Sequence, residues 1–308
     1  MSSTSSPHIQ GLREDEHLAS PSESTSSLLG SVAPNARSAS PNRVTGSLAG
    51  LNVIVTSCAS LIGQAVCIEL SKQGANLALT DPSKSAGQEV CRELYKNGHS
   101  GSLLFTAIEL RDLDKLASYI KNASKTLKRL DCLVNCATFA PEENMMHRSK
   151  AQEVADILDH NLRTTWTATQ TAIALFEIQN DNKVRCPPQG YSIVNITSSF
   201  DFNDHYSAYA TAQQGILGMT RSIAMEYATN DIRVNAVSAG AVEEKDVMQS
   251  IVNQFMKSSN MSKSQIPMKR FARPKEIADV VAFLLGPGSS YITGACIPVD
   301  GGLSAKRA

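Results

Sequence analysis

The sequence predicts an open α/β fold, a single parallel sheet doubly wound with helices on both faces. Three observations carry that prediction. From Leu51 onward, short aliphatic and β-branched runs alternate with stretches of helical length and period, and parallel strands need such crossovers. The strand candidates are near-continuous apolar runs, as strands covered on both faces are. The first strand-to-helix turn is 56-TSCASLIG-63, where folds of this type bring a helix N-terminus to an anion.

The elements follow in order. Strands are expected at 51–56, 76–80, 102–110, 131–135, 191–197, 231–238 and 295–299. Helices are expected at 62–74 and 84–98, each closing on a glycine, and at 112–127. A long helix is expected from about 149 to 176, another over 206–229, and a last one opened by Pro274 in its first turn. A polar, Met-rich stretch, 248–268, precedes that last helix. The folded unit is placed at 48–304. Residues 1–47 carry about a dozen serines and almost no aliphatic periodicity. Such a segment cannot bury enough apolar surface to offset its ordering entropy, so it reads as a disordered tail.

Composition excludes several classes. Lys+Arg 29 balance Asp+Glu 29, which gives no footprint for nucleic acid. No apolar run is long enough to span a membrane, and the N-terminus has no secretory apolar region. The 7 cysteines include no metal-ligand spacing. Cys132 and Cys136 stand roughly 13 Å apart on one strand, too far for a disulfide. Free thiols and a cytosolic location are the expectation.

Several short motifs recur in fixed order. They are 56-TSCASLIG-63, 135-NCAT-138, Asn161 in 159-DHNLRTTW-166, Ser198 in 194-VNITS-198, Tyr209 in 209-YATAQ-213, 232-IRVNAVSAG-240, and the run 273–302 ending in VDGG. Together they resemble the short-chain dehydrogenase/reductase family over about residues 50–303. The resemblance implies a single-domain Rossmann-type fold, a nicotinamide cofactor and a small alcohol or ketone substrate. A homodimer or homotetramer would form through the long helix and the Tyr-bearing helix.

The resemblance also implies roles. Tyr209 would be the general acid/base, Ser198 would polarise the substrate oxygen, and Asn161 would shape its helix and hold a relay water. Thr56, Ser57, Ser60, Ile62 and Gly63 would meet the cofactor diphosphate. Asp81 would take the adenosine ribose diol, which favours NAD(H) over NADP(H). Glu109 would touch adenine. Asn135 and Ala137, with Gly240 and Val242, would line the dinucleotide further along.

The departures cluster at the cofactor. Ser57 and Leu61 stand where the family has glycines that let backbone approach phosphates without a Cβ. Glu244 stands where a threonine would reach the nicotinamide amide. Gln213 replaces the family's lysine, which holds the ribose and lowers the tyrosine pKa. No lysine lies between Lys183 and Lys245 to substitute for it. A tyrosine with no cation beside it is only about 0.1% phenolate at pH 7. A neighbouring cation shifts that balance by roughly 1.4–4 kcal/mol. Gln213 can still hydrogen-bond a ribose hydroxyl. The sequence therefore predicts impaired or absent dehydrogenase chemistry and a binding or regulatory role. The alternative is an active NAD(H)-dependent enzyme using Tyr209 and Ser198.

Overall fold

The computed structural model describes residues 46–136, 146–184, 186–199, 206–243 and 262–307. Along the chain lie β1 (Asn52–Thr56), α1 (Leu61–Lys72), β2 (Asn76–Asp81), α2 (Lys84–Lys96), β3 (Leu103–Ala107) and α3 (Leu113–Leu127). They are followed by β4 (Cys132–Asn135), α4 (Ala151–Leu158), a π-turn (Asp159–Arg163), α5 (Thr164–Asp181) and β5 (Tyr191–Ser198). The chain closes with α6 (Ser207–Tyr227), β6 (Ile232–Ala239), α7 (Pro274–Leu285) and β7 (Cys296–Val299). The strands pair in parallel in the order β3-β2-β1-β4-β5-β6-β7. Strand order reverses between β1 and β4, the point at which folds of this type take a ligand at the carboxyl ends of the strands. This is the doubly wound Rossmann-type sheet that the sequence predicts.

Alternating side chains feed two apolar layers. Val53 and Val55 point into one, with Val66 and Leu70 of α1, Val90 and Leu94 of α2, and Ile277 and Val281 of α7. Ile54 and Leu133 point into the other, with Leu116 and Ile120 of α3 and Ala172 and Phe176 of α5. Side-chain caps start the first three helices: Ser60, Ser83 and Asp112 accept from the N–H groups of Gly63, Ala86 and Lys115. The edge strand β7 carries Pro298, a residue sheets tolerate at their edges. Among the described residues no helix is long and apolar enough to cross a membrane. None of the seven cysteines forms a disulfide.

The long helix expected from 149 to 176 differs in form. It is two helices, α4 and α5, joined by the π-turn, and it runs on to Asp181. The reason is side-chain insertion into the backbone ladder. Asn161 donates Nδ2 to Ile157 O at 2.9 Å, while Thr164 and Thr165 donate hydroxyls to Asp159 O and Asn161 O.

One rank of the sheet is polar from edge to middle. Thr106, Thr80, Thr56, Asn135 and Asn195 stand in register on adjacent strands, on the face that carries Ile54 and Leu133. Asn135 donates to Asn195 Oδ1 at 2.9 Å and to Thr169 Oγ1 at 3.1 Å. Asn195 donates to Thr220 Oγ1 at 2.9 Å, and Thr56 Oγ1 accepts from the Cys136 N–H at 3.2 Å.

His99 gives the fold a pH dependence. The buried ring, just beyond α2, pairs Nδ1 with Ser71 Oγ at 2.8 Å. Burial pushes its imidazole below the usual value, against the smaller opposing effect of hydrogen bonds to backbone oxygens of Ser102 and Gly101. Its neutral form favours the fold, so its contribution is complete above the unfolded value near 6.5. It is lost as the pH falls through the lower folded value. Chemical denaturation of the wild type and His99→Gln between pH 5 and pH 8 is the check. The wild-type advantage is expected to shrink on the acid side, and an unchanging difference would refute the assignment.

Candidate active site

The β1–α1 turn is folded on itself. Ser57 holds a left-handed φ of 49°, a conformation that glycine adopts without cost. Its carbonyl accepts from the Ser60 backbone N–H at 3.1 Å and from the Ser60 hydroxyl at 2.8 Å. Ser60 Oγ in turn accepts from Gly63 N at 3.1 Å. Leu61 and Ile62 pack against the layer beneath α1, so the Leu61 side chain is engaged with the core. Ser57→Gly is expected to stabilise the protein by about 0.5–1 kcal/mol through relief of the left-handed strain. A denaturant midpoint that does not rise would count against that.

Asp81, at the end of β2, is buried. Its carboxylate accepts from Ala59 N at 3.0 Å and Ser83 N at 2.9 Å, tying the first two strand-to-helix turns together. Glu109 is exposed. Its carboxylate lies 3.6 Å from Arg111 and 3.9 Å from His160, toward the π-turn. Asn135 lies in the polar rank beside Thr56, whose Oγ1 accepts from the Cys136 N–H. Gly240 backs onto Asp300: a Cβ there would meet Asp300 Cα at 2.6 Å. Val242 bridges to Ala272 and is buried in the layer beneath α1. Ala137, Glu244 and most of 248–268 lie outside the described residues.

Three of the four positions expected to be catalytic, Ser198, Asn161 and Gln213, are brought together by β5, the π-turn and α6. Gln213 sits one turn beyond Tyr209 on α6 and is fully buried. Its Oε1 accepts from the Ser198 backbone N–H at 3.1 Å, and its Nε2 donates to Asn161 Oδ1 at 3.3 Å. Gln213 is therefore an uncharged clasp between the end of β5 and the π-turn. Tyr209 and Tyr206 are buried in an apolar cluster with Ile157, Ala241, Ile266 and Leu303. Close packing holds α6 to the π-turn, since a Cβ on Gly215 would meet the Leu162 side chain at 2.9 Å.

Sequence reasoning missed several supporting residues. Thr169, Asn195 and Thr220 anchor Asn135 from within helices and strands that read only as apolar. Asp300 accepts from Gly302 N and Ser304 N at 2.9 and 2.8 Å. The VDGG run was the available signal for Asp300.

A family model described as enoyl-(acyl carrier protein) reductase matches residues 58–304. The chain belongs to the short-chain dehydrogenase/reductase family. Its relatives are oxidoreductases acting on CH–OH or C=O groups. It is 31% identical to the 3-oxoacyl-(acyl-carrier-protein) reductase FabG of Thermotoga maritima over 64% of this chain and 75% of that one. It is 27% identical to the levodione reductase of Leifsonia aquatica over 82% and 94% of the two chains. Among solved structures, levodione reductase superposes with a TM-score of 0.75 at 26% identity, covering 84% of this chain and 99% of that one. A 3-ketoacyl-(acyl-carrier-protein) reductase from Brucella melitensis, complexed with NADH, superposes with a TM-score of 0.73 at 25% identity, covering 83% and 99%.

Proposed function

We propose that this family member has impaired or absent dehydrogenase chemistry and works by binding, as a regulatory partner. The observation that carries this reading is Gln213. At the position of the family's lysine stands a neutral side chain with both ends of its amide committed inside the protein. It supplies no positive charge to favour a phenolate at Tyr209. The β1–α1 turn supports the same reading, with Leu61 where a diphosphate would want bare backbone.

A nicotinamide dinucleotide fits this chain unevenly. At the adenosine end Asp81 offers a carboxylate of the kind that takes a ribose diol, which favours NAD(H) over NADP(H). At the other end Gln213 is engaged with Ser198 and Asn161. A second reading has its own support: Ser198, Asn161 and Gln213 remain joined by direct hydrogen bonds one turn from Tyr209, and the Brucella relative was crystallised with NADH. It is an NAD(H)-dependent alcohol dehydrogenase or ketone reductase in which Tyr209 and Ser198 act with Gln213 in the lysine's place.

Titration of the full chain with NADH and NADPH, followed by assays on common alcohols and ketones, separates the two. The expected result is no saturable binding up to about 1 mM cofactor and no turnover approaching about 1 per second. NADH binding near 1 μM, weaker for NADPH and accompanied by turnover, would instead establish the enzyme.

The reading includes a homodimer or homotetramer. Trp166 and Ile178 on α5 and Met225 on α6 are large apolar side chains left exposed, a feature of association surfaces. Sedimentation velocity tests this, and a purely monomeric species at micromolar protein would remove it. Cysteines that form no disulfide suit a reducing, cytosolic compartment.

A further inference from the structure

A cavity of about 430 Å³ opens beside the segment that follows β6. Glu243, Lys263, Arg270, Phe271 and Arg273 line it. Backbone hydrogen bonds fix its wall: Glu243 N donates to Ala272 O at 2.7 Å and Ala272 N donates to Ala241 O at 2.8 Å. Phe271 also packs against the apolar cluster that contains Tyr209 and Tyr206. The cavity therefore shares a wall with the catalytic helix without using any catalytic residue.

Its charges are arranged unequally. Arg270 is held in a two-pronged pair with Glu276, at 2.8 and 2.7 Å. That pairing is the main cause that brings the Glu276 carboxyl down to about 2. Arg270 is thus pre-oriented and largely neutralised. Arg273 reaches Glu276 only at 3.6 Å and is mostly exposed. Lys263 differs again. Its ammonium lies 5.1 Å from the Phe271 ring centroid, held by cation–π attraction. Among the described residues no carboxylate pairs with it. Three cations and one carboxylate, Glu243, thus line the cavity; with Arg270 matched by Glu276 outside it, one positive charge and an ammonium with unspent donors remain.

We propose that this cavity binds an oxyanion, a carboxylate or phosphoryl group carried by a small molecule, with Lys263 and Arg273 as its principal donors. Phe271 provides the apolar floor on which the rest of such a molecule would lie. Glu243 at the rim can accept a hydrogen bond from a ligand hydroxyl. Binding at this site does not depend on a nicotinamide cofactor or on turnover.

The test uses the full chain without cofactor, titrated calorimetrically with inorganic phosphate and separately with benzoate. Sodium chloride holds the ionic strength constant. Saturable binding is expected, weakened at least about fivefold by Lys263→Gln and by Arg273→Gln. Lys263→Arg should retain it. Benzoate bound more tightly than phosphate identifies the carboxylate as the preferred group and Phe271 as its platform, and the reverse order identifies the phosphoryl group. Two results would overturn the proposal. One is a response that never saturates and is identical in all variants, as general salt effects are. The other is saturable binding that survives both glutamine variants, which would place the anion elsewhere, for example at the 57–63 turn. NADH titration of the same samples keeps the two readings apart, since Lys263→Gln should leave it unchanged.

Discussion

Replacing Gln213 by lysine is expected to destabilise the protein by about 1–3 kcal/mol and to yield no dehydrogenase turnover on its own. The cost follows from hydrogen-bond inventory. An ammonium donates only, so it cannot accept from the Ser198 N–H that now bonds Gln213 Oε1 at 3.1 Å. A buried donor left unpaired costs about 1–3 kcal/mol. The position is fully buried, so the new charge would be desolvated as well. Gln213→Glu makes a useful control. It can keep the bond from Ser198 but turns the Asn161 contact into one between two acceptors unless the Asn161 amide flips. Urea denaturation gives the stability difference, and NADH oxidation with ketone substrates gives the activity. The pair Gln213→Lys with Leu61→Gly is expected to stay inactive too, because Leu61 is part of the packing under α1. Turnover in that pair would show that two substitutions alone had silenced an otherwise intact enzyme.

Gly63→Ala should cost about 3 kcal/mol, at the upper end for an added methyl group. A Cβ at that position would lie 2.2 Å from the Ser57 carbonyl oxygen and 2.8 Å from Ser60 Oγ. The first of these is backbone, and it is fixed by the two bonds it accepts from Ser60. Relief would require opening the turn and losing the cap on α1. The glycine is thus demanded by the packing of the turn, whether or not a nucleotide ever lies above it. Thermal unfolding of Gly63→Ala without cofactor is the check. A midpoint within 1 °C of the wild type would mean that the turn relaxes freely, and that the glycine is kept for a ligand instead.

The architecture was legible in the sequence because its signals are local and repeated. Apolar runs such as 51–56 and 191–197 alternate with stretches of helical period at 62–74, 84–98 and 112–127, and the structure places strands and helices there. The π-turn was not legible. It depends on how the side chains of Asn161, Thr164 and Thr165 bond to backbone, and a helical period survives one extra residue. The site was half legible. The loss of a charge at residue 213 is plain from its letter. That Gln213 clasps Ser198 to Asn161 is a tertiary fact, set by how α6 crosses β5 and the π-turn. Lys263, Arg270 and Arg273 read as scattered surface charge; only the bridge between Val242 and Ala272 brings Glu243 alongside them.

The rank of Thr106, Thr80, Thr56, Asn135 and Asn195 has a consequence for how the sheet finds its alignment. Side chains along a strand alternate faces, so sliding one strand by a single residue sends its polar member to the opposite face. For β4 that slip would drive Asn135 in among Val55, Val134 and Val194 and take it from the amide and hydroxyl it now meets on either side. Aliphatic ranks alone would tolerate such an error, since one valine replaces another at little cost. The polar rank does not, because each of its amides has a partner only when neighbouring strands are in phase. It works like the teeth of a key cut across the middle of the sheet, rejecting misaligned pairings during assembly.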